Sequence, residues 1–274
     1  MQQGRVSVVI PAYNPRTDWL DQAVRSVVEQ VPPPLEVLIV DDGSSAPVTY
    51  DHPLVRVVRR SNGGVAAARN TGLHEARGEF VALLDQDDYW LPGKLAAQLA
   101  LMRPDVALCS TFTDCVHGDD GERTPYGRTV PLGYDDMVAG NKVQACSALM
   151  RRDTALAVGG FPPIQFVDDW AMWLELVRYS QVRHVPEVLA VYRLHDDNSS
   201  RDYLAMWRGE VRTLARHRSR VAAVAAWGRT RASGASAWDE FKRRRRGRDL
   251  AWAVLLAPDL VASWPWRRLR RGTS

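Results

Sequence analysis

Asp85-Gln86-Asp87-Asp88 places three carboxylates directly behind an apolar run, Glu79-Phe80-Val81-Ala82-Leu83-Leu84. In an extended segment, residues two apart point the same way. Asp85 and Asp87 are then expected to face one side together and to hold a hard cation through oxygen ligands. Mg2+ and Mn2+ suit such a site, because both bridge carboxylate and phosphate oxygens. The plainer reading of an isolated DxDD is a solvated acidic turn, with Asp88 capping the helix behind it. Other polar groups also follow element ends. Asp41-Asp42-Gly43 follows a strand-like run, which is also how a strand-ending turn reads. Asp168-Asp169 opens a helical stretch, where an acid favours the macrodipole whatever else it does. Arg69 lies on an expected helix and His195 follows a strand-like segment.

These groups need a scaffold, and the chain alternates short apolar runs with helical spacing. Val6–Ile10, 35–40, 54–58, 79–84, 106–109, 143–150 and 188–194 read as strands. Leu20, Ala23, Val24, Val27 and Val28 recur at helical spacing; helices are also expected from Gly63-Gly64 through Ala76, over 91–102 and over 168–179. Residues 114–133, rich in Gly, Asp, Pro and Thr, read as a loop. Strands separated by helices imply an α/β fold, a mostly parallel, Rossmann-like sheet flanked by helices on both faces. Ligands of such sheets bind at the carboxyl ends of the strands, which is where the acidic clusters fall.

The charge is divided along the chain. Residues 201–274 carry 18 Lys and Arg against 6 Asp and Glu, a balance of +12; the first 200 carry 18 against 26, a balance of −8. We therefore expect an acidic catalytic domain over 1–200 and a helical, Arg-rich region over 201–274. Lys242-Arg243-Arg244-Arg245-Arg246-Gly247-Arg248, the apolar stretch 250–266 with Trp252, Trp264 and Trp266, and Arg267 to Arg271 fit a helix lying on an anionic membrane face. Packing of that helix on the body is an equal alternative. Pro258 and Asp259 interrupt a segment already short of a membrane span. Nothing resembles a base-reading module, so no nucleic-acid partner is expected. Three scattered cysteines, none in a CxxC pair, do not read as a disulfide framework, and no zinc site is expected. No signal peptide is visible. The expected location is cytoplasmic, with peripheral attachment to the inner face of the plasma membrane through 240–274.

Six segments, in order, resemble the family 2 glycosyltransferases, which have the GT-A fold. Ser7 to Asn14 (SVVIPAYN) is similar to their opening motif, and Val40 to Ser45 (VDDGSS) to their second nucleotide-binding segment. Asn62 to Gly72 matches NxGxxxARNxG; Phe80 to Asp88 with Trp90-Leu91-Pro92 matches the DxD strand and the helix behind it. Gly159-Gly160-Phe161 followed by Asp168-Asp169-Trp170 resembles GGF…ED, and Tyr192-Arg193-Leu194-His195 resembles YRxH. The resemblance covers roughly residues 5–200.

The resemblance implies a metal-dependent, inverting transfer of a sugar from a nucleoside-diphosphate donor, most often UDP, to a hydroxyl of a glycan, glycolipid or glycoprotein acceptor. It implies that Pro11, Ala12, Tyr13 and Asn14 line the base pocket, with Tyr13 on the nucleobase. Asp41 and Asp42 accept from base or ribose, and Arg69 approaches base or diphosphate. Asp85 lies by the ribose, beside Gln86. Asp87 and His195 hold the Mg2+ or Mn2+, and Asp169 is the general base. Where the family usually has Glu-Asp, this chain has Asp168-Asp169, which retains the second acid. The chemistry explains the need for two acidic sites. A cation offsets charge on the departing diphosphate, and a separate carboxylate takes the acceptor's proton. A sugar-nucleotidyltransferase of similar fold usually has a Gly-rich, basic loop after its first strand; Pro11-Ala12-Tyr13-Asn14 stands there instead. A non-catalytic module that binds nucleotide sugars is the other alternative.

Overall fold

The computed structural model of the chain describes residues 5–118, 121–164, 167–195 and 203–217. The basic stretch 240–274 lies outside the described residues, as does the expected membrane contact. The chain divides into two compact units, Met1–Asn198 and Ser199–Ser274. In the second, an α-helix is described over Tyr203–Arg216. No described helix is long and apolar enough to cross a membrane.

The first unit opens with β1 (Val6–Ala12), α1 (Thr17–Val28), β2 (Glu36–Asp41), β3 (Val55–Arg59), α2 (Val65–Glu75) and β4 (Phe80–Leu83). β1, β2 and β4 are buried along their whole length, as parallel strands covered on both faces must be. α1 lays Leu20, Ala23, Val24 and Val27 against them. α2 comes closer still. A Cβ on Gly72 would lie 2.3 Å from Val9 Cγ1, so only glycine lets this helix approach β1 so nearly. That contact fixes Arg69, one turn earlier on α2, above the sheet.

The chain continues through β5 (Tyr89–Trp90), α3 (Lys94–Leu99), β6 (Val106–His117), β7 (Thr124–Tyr126), α4 (Tyr134–Ala139), β8 (Leu149–Arg151), α5 (Arg152–Ala157), α6 (Asp168–Val177) and β9 (Gln181–Leu194). The sheet order is β3-β2-β1-β4-β8-β6-β9-β5, with β7 beside β6. β3, β2, β1 and β4 run parallel, as do β6 and β9, whereas β8, β5 and β7 pair antiparallel.

Several elements differ from their sequence pattern. The expected strand over 143–150 is a 3-10 turn, Ala145–Ser147, followed by the three-residue β8. Its apolar residues reflect burial, which a turn packed under the sheet shares with a strand. The expected loop over 114–133 is partly regular, because β6 runs on to His117 and β7 pairs with Thr113, Asp114 and Cys115. The helix after Leu91 is shorter than expected, Lys94–Leu99, starting behind Pro92 and the left-handed Gly93.

Candidate active site

The acidic segment behind β4 is not extended. Asp88 N–H donates to Asp85 O at 3.1 Å, closing a tight turn. Asp85 and Asp87 thus stand on a turn rather than on the extended segment expected for them, and each takes a different partner. Asp85 accepts from Arg69 Nη2 at 2.8 and 3.2 Å. Asp87 Oδ2 faces His195 Nε2 at 2.7 Å. Asp88 is buried and accepts the Arg193 N–H at 2.9 Å. Burial, followed by the charges of Asp87 and Asp85, pushes the Asp88 pKa well above the carboxylate range. Burial and the charge of Asp85 also raise that of Asp87, against the opposing pull of His195.

Arg69 is 5% exposed and joins three parts of the fold. Besides Asp85, its Nη1 donates to Asp168 Oδ2 at 2.9 Å, in the first turn of α6. Burial works against its charge, but Asp85, Asp168 and Asp169 outweigh that and raise its pKa. The shorter acid at 168 therefore still reaches the guanidinium. Asp169, beside it, is half-buried. Its Oδ1 accepts Trp170 N–H at 2.6 Å, and Oδ2 accepts Asn141 Nδ2 at 3.3 Å. Burial, reinforced by the charge of Asp168, raises its pKa to about 7.

The residues expected around the base divide into exposed and buried groups. Tyr13 is 52% exposed, its N–H donating to Gln86 Oε1 at 2.8 Å. Asn14 has a left-handed backbone (φ 45°) and takes its neighbours' bonds: Asn14 N–H donates to Ser44 Oγ, and Ser45 N–H to Asn14 Oδ1. The loops after β1 and β2 are thereby joined. Pro11 and Ala12 have buried side chains inside β1. Asp41 is wholly buried and accepts from Ser44 N–H, Val48 N–H and Arg59. Burial acts to raise its pKa, yet these bonds and the arginine bring the net shift below the usual value. Asp42 accepts from Gly63 and Gly64 N–H, at 3.1 and 2.7 Å, and pairs with Arg60. The oxygens of Asp41 and Asp42 are thus turned towards the protein. They shape the loop and the entry to α2.

Three residues with no assigned role prove central to the arrangement. Arg193 Nε donates to Asp87 O at 2.9 Å, and its other nitrogens pair with Gly118 O and Gln22 Oε1. It fixes the turn that carries Asp87; its place in YRxH was the available signal. Asn70 spans to Phe161 in both directions, Nδ2 donating to Phe161 O at 2.8 Å and Oδ1 accepting its N–H at 2.7 Å. Gly160 (φ +72°) permits this, because a Cβ there would sit 2.4 Å from Asn70 Oδ1. Asn141, which reaches Asp169, follows no recognisable sequence pattern.

The donor set fits a hard divalent cation that shares its coordination with phosphate. Among the described residues, no group of three or more His, Cys, Asp and Glu side chains could hold a metal alone. The Asp87–His195 pair supplies one carboxylate and one imidazole, beside an Asp85 carboxylate whose only described cationic partner is Arg69. Mg2+ in particular is usually bound through one or two carboxylates with phosphate and water completing the shell.

Comparison with known proteins identifies the family. The family model described as Glycosyl transferase family 2 matches residues 7–153. TuaG of Bacillus subtilis, named as a teichuronic acid biosynthesis glycosyltransferase, is 31% identical over 221 residues, 76% of this chain and 85% of the relative. An Escherichia coli enzyme named UDP-Glc:alpha-D-GlcNAc-diphosphoundecaprenol beta-1,3-glucosyltransferase is 27% identical over 69% of this chain and 77% of its own length. Of solved structures, S. aureus TarS 1-349 in complex with UDP-GlcNAc superposes with a TM-score of 0.67 at 17% identity, covering 96% of this chain and 82% of that one. A Pyrobaculum calidifontis mannosyltransferase in complex with GDP-Man and Mn2+ gives 0.62 at 21%, covering 98% and 83%. The family match over more than half its length, the TuaG relation and these folds establish that the chain belongs to glycosyl transferase family 2 and is a glycosyltransferase with the GT-A fold.

Proposed function

We propose that the chain moves a sugar from a nucleoside-diphosphate donor, UDP before other carriers, to a hydroxyl of a glycan or lipid-linked acceptor, with inversion and with Mg2+ or Mn2+ at Asp87 and His195. One observation carries this reading. A single buried guanidinium, Arg69, binds Asp85 on the metal-side turn and Asp168 beside the half-open Asp169. Two acidic sites with different tasks are therefore held at a set separation. The exposed ring of Tyr13 offers a face to the nucleobase, and Gln86 holds its backbone. Asp169 takes the proton of the acceptor hydroxyl as that oxygen bonds to the anomeric carbon. The bond from that carbon to the diphosphate breaks on the opposite side, releasing the nucleoside diphosphate. A base with a pKa near operating pH is well matched to that transfer. The cation, when bound, offsets negative charge gathering on the leaving diphosphate.

The preference for UDP rests on the likeness to a relative named for UDP-Glc and to a structure with UDP-GlcNAc. A GDP donor is the alternative, given the GDP-Man complex. We also assign residues 240–274 a contact with an anionic membrane face, from their Arg and Trp content. The test is release of nucleoside diphosphate by the 274-residue chain from UDP-Glc, UDP-GlcNAc, UDP-Gal and GDP-Man with Mn2+. Release that requires Asp169 supports the reading. Binding without release from every donor would make the chain a non-catalytic module, and synthesis of a nucleotide sugar from a sugar phosphate would make it a nucleotidyltransferase.

A further inference from the structure

Tyr126 and Tyr192 stack in parallel, ring centroids 5.5 Å apart at 11°. Across the strands that bear them, Tyr126 pairs with Thr113 and Tyr192 with Cys115, two residues apart on β6. Both rings therefore stand on one face of the sheet. Tyr192 packs against the main apolar core, which gives the pair a firm backing. Tyr126 does not share that burial. It remains 37% exposed, on a strand whose three residues are all exposed. One face of its ring is stacked and the ring still meets solvent.

The position of this ring makes the exposure informative. A Cβ on Gly127, the next residue, would lie 3.3 Å from Gln144 Cγ. The hairpin thus rests on the segment whose Asn141 binds Asp169 and whose Cys146 carbonyl accepts from Trp90. The nucleobase side is elsewhere. Tyr13 and the Asp41-Asp42 loop follow β1 and β2, whereas β6, β7 and β9 lie beyond β4 and β8 in the sheet.

Resting on the transferase reading above, we propose that the Tyr126–Tyr192 stack is a platform for a pyranose ring of the acceptor, oriented so that one of its hydroxyls meets Asp169. A pyranose has an apolar face of C–H bonds and a rim of hydroxyls. An aromatic face takes the former, through apolar contact and weak C–H interactions with the electron-rich ring, and the phenol O–H can bond the latter. Binding sites for small ligands commonly combine aromatic walls with a few polar groups in this way. The occupant is a saccharide unit. A lipid tail would gain from a deeper apolar surface than two stacked phenols present.

The test compares two fates of the donor in the 274-residue chain. One is hydrolysis by water; the other is transfer to p-nitrophenyl pyranosides of glucose, galactose, mannose and N-acetylglucosamine. Tyr126→Ala should lower the ratio of transfer to hydrolysis at least tenfold and raise the acceptor KM at least tenfold. Tyr126→Phe keeps the ring and should hold the ratio within about threefold. An unchanged ratio in Tyr126→Ala, or an equal loss in the Phe variant, overturns the platform. Wild-type hydrolysis that none of the four pyranosides diverts overturns it too, while leaving the donor reading intact. If no donor is turned over at all, the transferase reading fails and the platform falls with it. A thermal melt of each variant identifies loss of fold, and the Phe variant then decides the question.

Discussion

Arg69 and Asp168 form a 2.9 Å ion pair across 99 residues of sequence, with both side chains almost completely withdrawn from water. The other end of the same guanidinium binds Asp85. A planar fork that serves two carboxylates cannot be replaced by a point charge. Arg69→Lys is expected to retain the fold and lose most turnover, because the turn behind β4 and the start of α6 are no longer held together. Arg69→Met should cost about 3–5 kcal/mol, since it leaves the buried Asp168 without its counter-charge. Urea unfolding alongside donor turnover checks both. Wild-type turnover in Arg69→Lys would show that the bridge does not align the site.

Asp169 should impose a pH limb. A base acts only when ionised, and this carboxyl is held up to about 7 by burial and by its neighbour Asp168. kcat/KM is expected to rise about tenfold per unit below pH 7 and to level above it. Asn141 donates to the carboxylate and so favours its ionised form. Asn141→Ala should move the limb to higher pH. Asp169→Asn should lower transfer about 10²- to 10⁴-fold while donor binding, followed by calorimetry, persists. A limb that stays in place in Asn141→Ala assigns the titration to another group.

The sequence pattern conveys the parallel half of the fold well, because β1, β2 and β4 are mostly apolar runs and α1 between the first two is amphipathic. It conveys the antiparallel half less well. β7 is three exposed residues held by pairing to β6, and a strand stabilised by its partner rather than by burial leaves no apolar alternation to read. The site divides similarly. Asp85, Asp87, Arg69, Asp169 and His195 stand in recognisable motifs and come together. The inward turn of the Asp41 and Asp42 oxygens depends on where Ser44, Val48, Arg59 and the Gly63-Gly64 amides fall in space, which local spacing does not state.

A cation at Asp87 and His195 predicts that donor and metal bind together. Mn2+ should tighten UDP binding to the wild-type chain at least tenfold, and EDTA should remove the gain. Asp87→Ala should abolish the metal-dependent part and leave the weaker metal-free binding, as read by calorimetry of UDP with and without Mn2+. Equal Mn2+ enhancement in wild type and Asp87→Ala would move the cation elsewhere.

The charge division along the chain predicts a surface preference. Removal of residues 240–274, which include the Lys242 to Arg246 run, should reduce sedimentation with vesicles rich in anionic lipid. Each basic residue near such a surface contributes about 1 kcal/mol, and salt should weaken binding of the intact chain. Equal sedimentation before and after truncation defeats the assignment.

Lys94 gives the last prediction, and it concerns stability. Its Nζ is fully buried with no carboxylate of the described residues paired to it, donating to Gln98 Oε1 at 2.7 Å and lying 4.1 Å from the centre of the Trp90 ring. Burial lowers its pKa from 10.5 to about 7. Between about 7 and 10.5, the unfolded chain binds more protons at this site than the folded one, so stability contributed here rises with pH across that window. Below pH 7 the side chain is charged in both states and the folded chain bears the whole cost of burying it. Lys94→Met conserves volume and removes that cost. The variant should be more stable by about 1–4 kcal/mol at pH 6, with the difference shrinking as the pH approaches 10. Urea unfolding of both proteins at several pH values measures this directly. A variant less stable than wild type at pH 6 would mean that the contacts with Gln98 and Trp90 outweigh the cost of the buried ammonium.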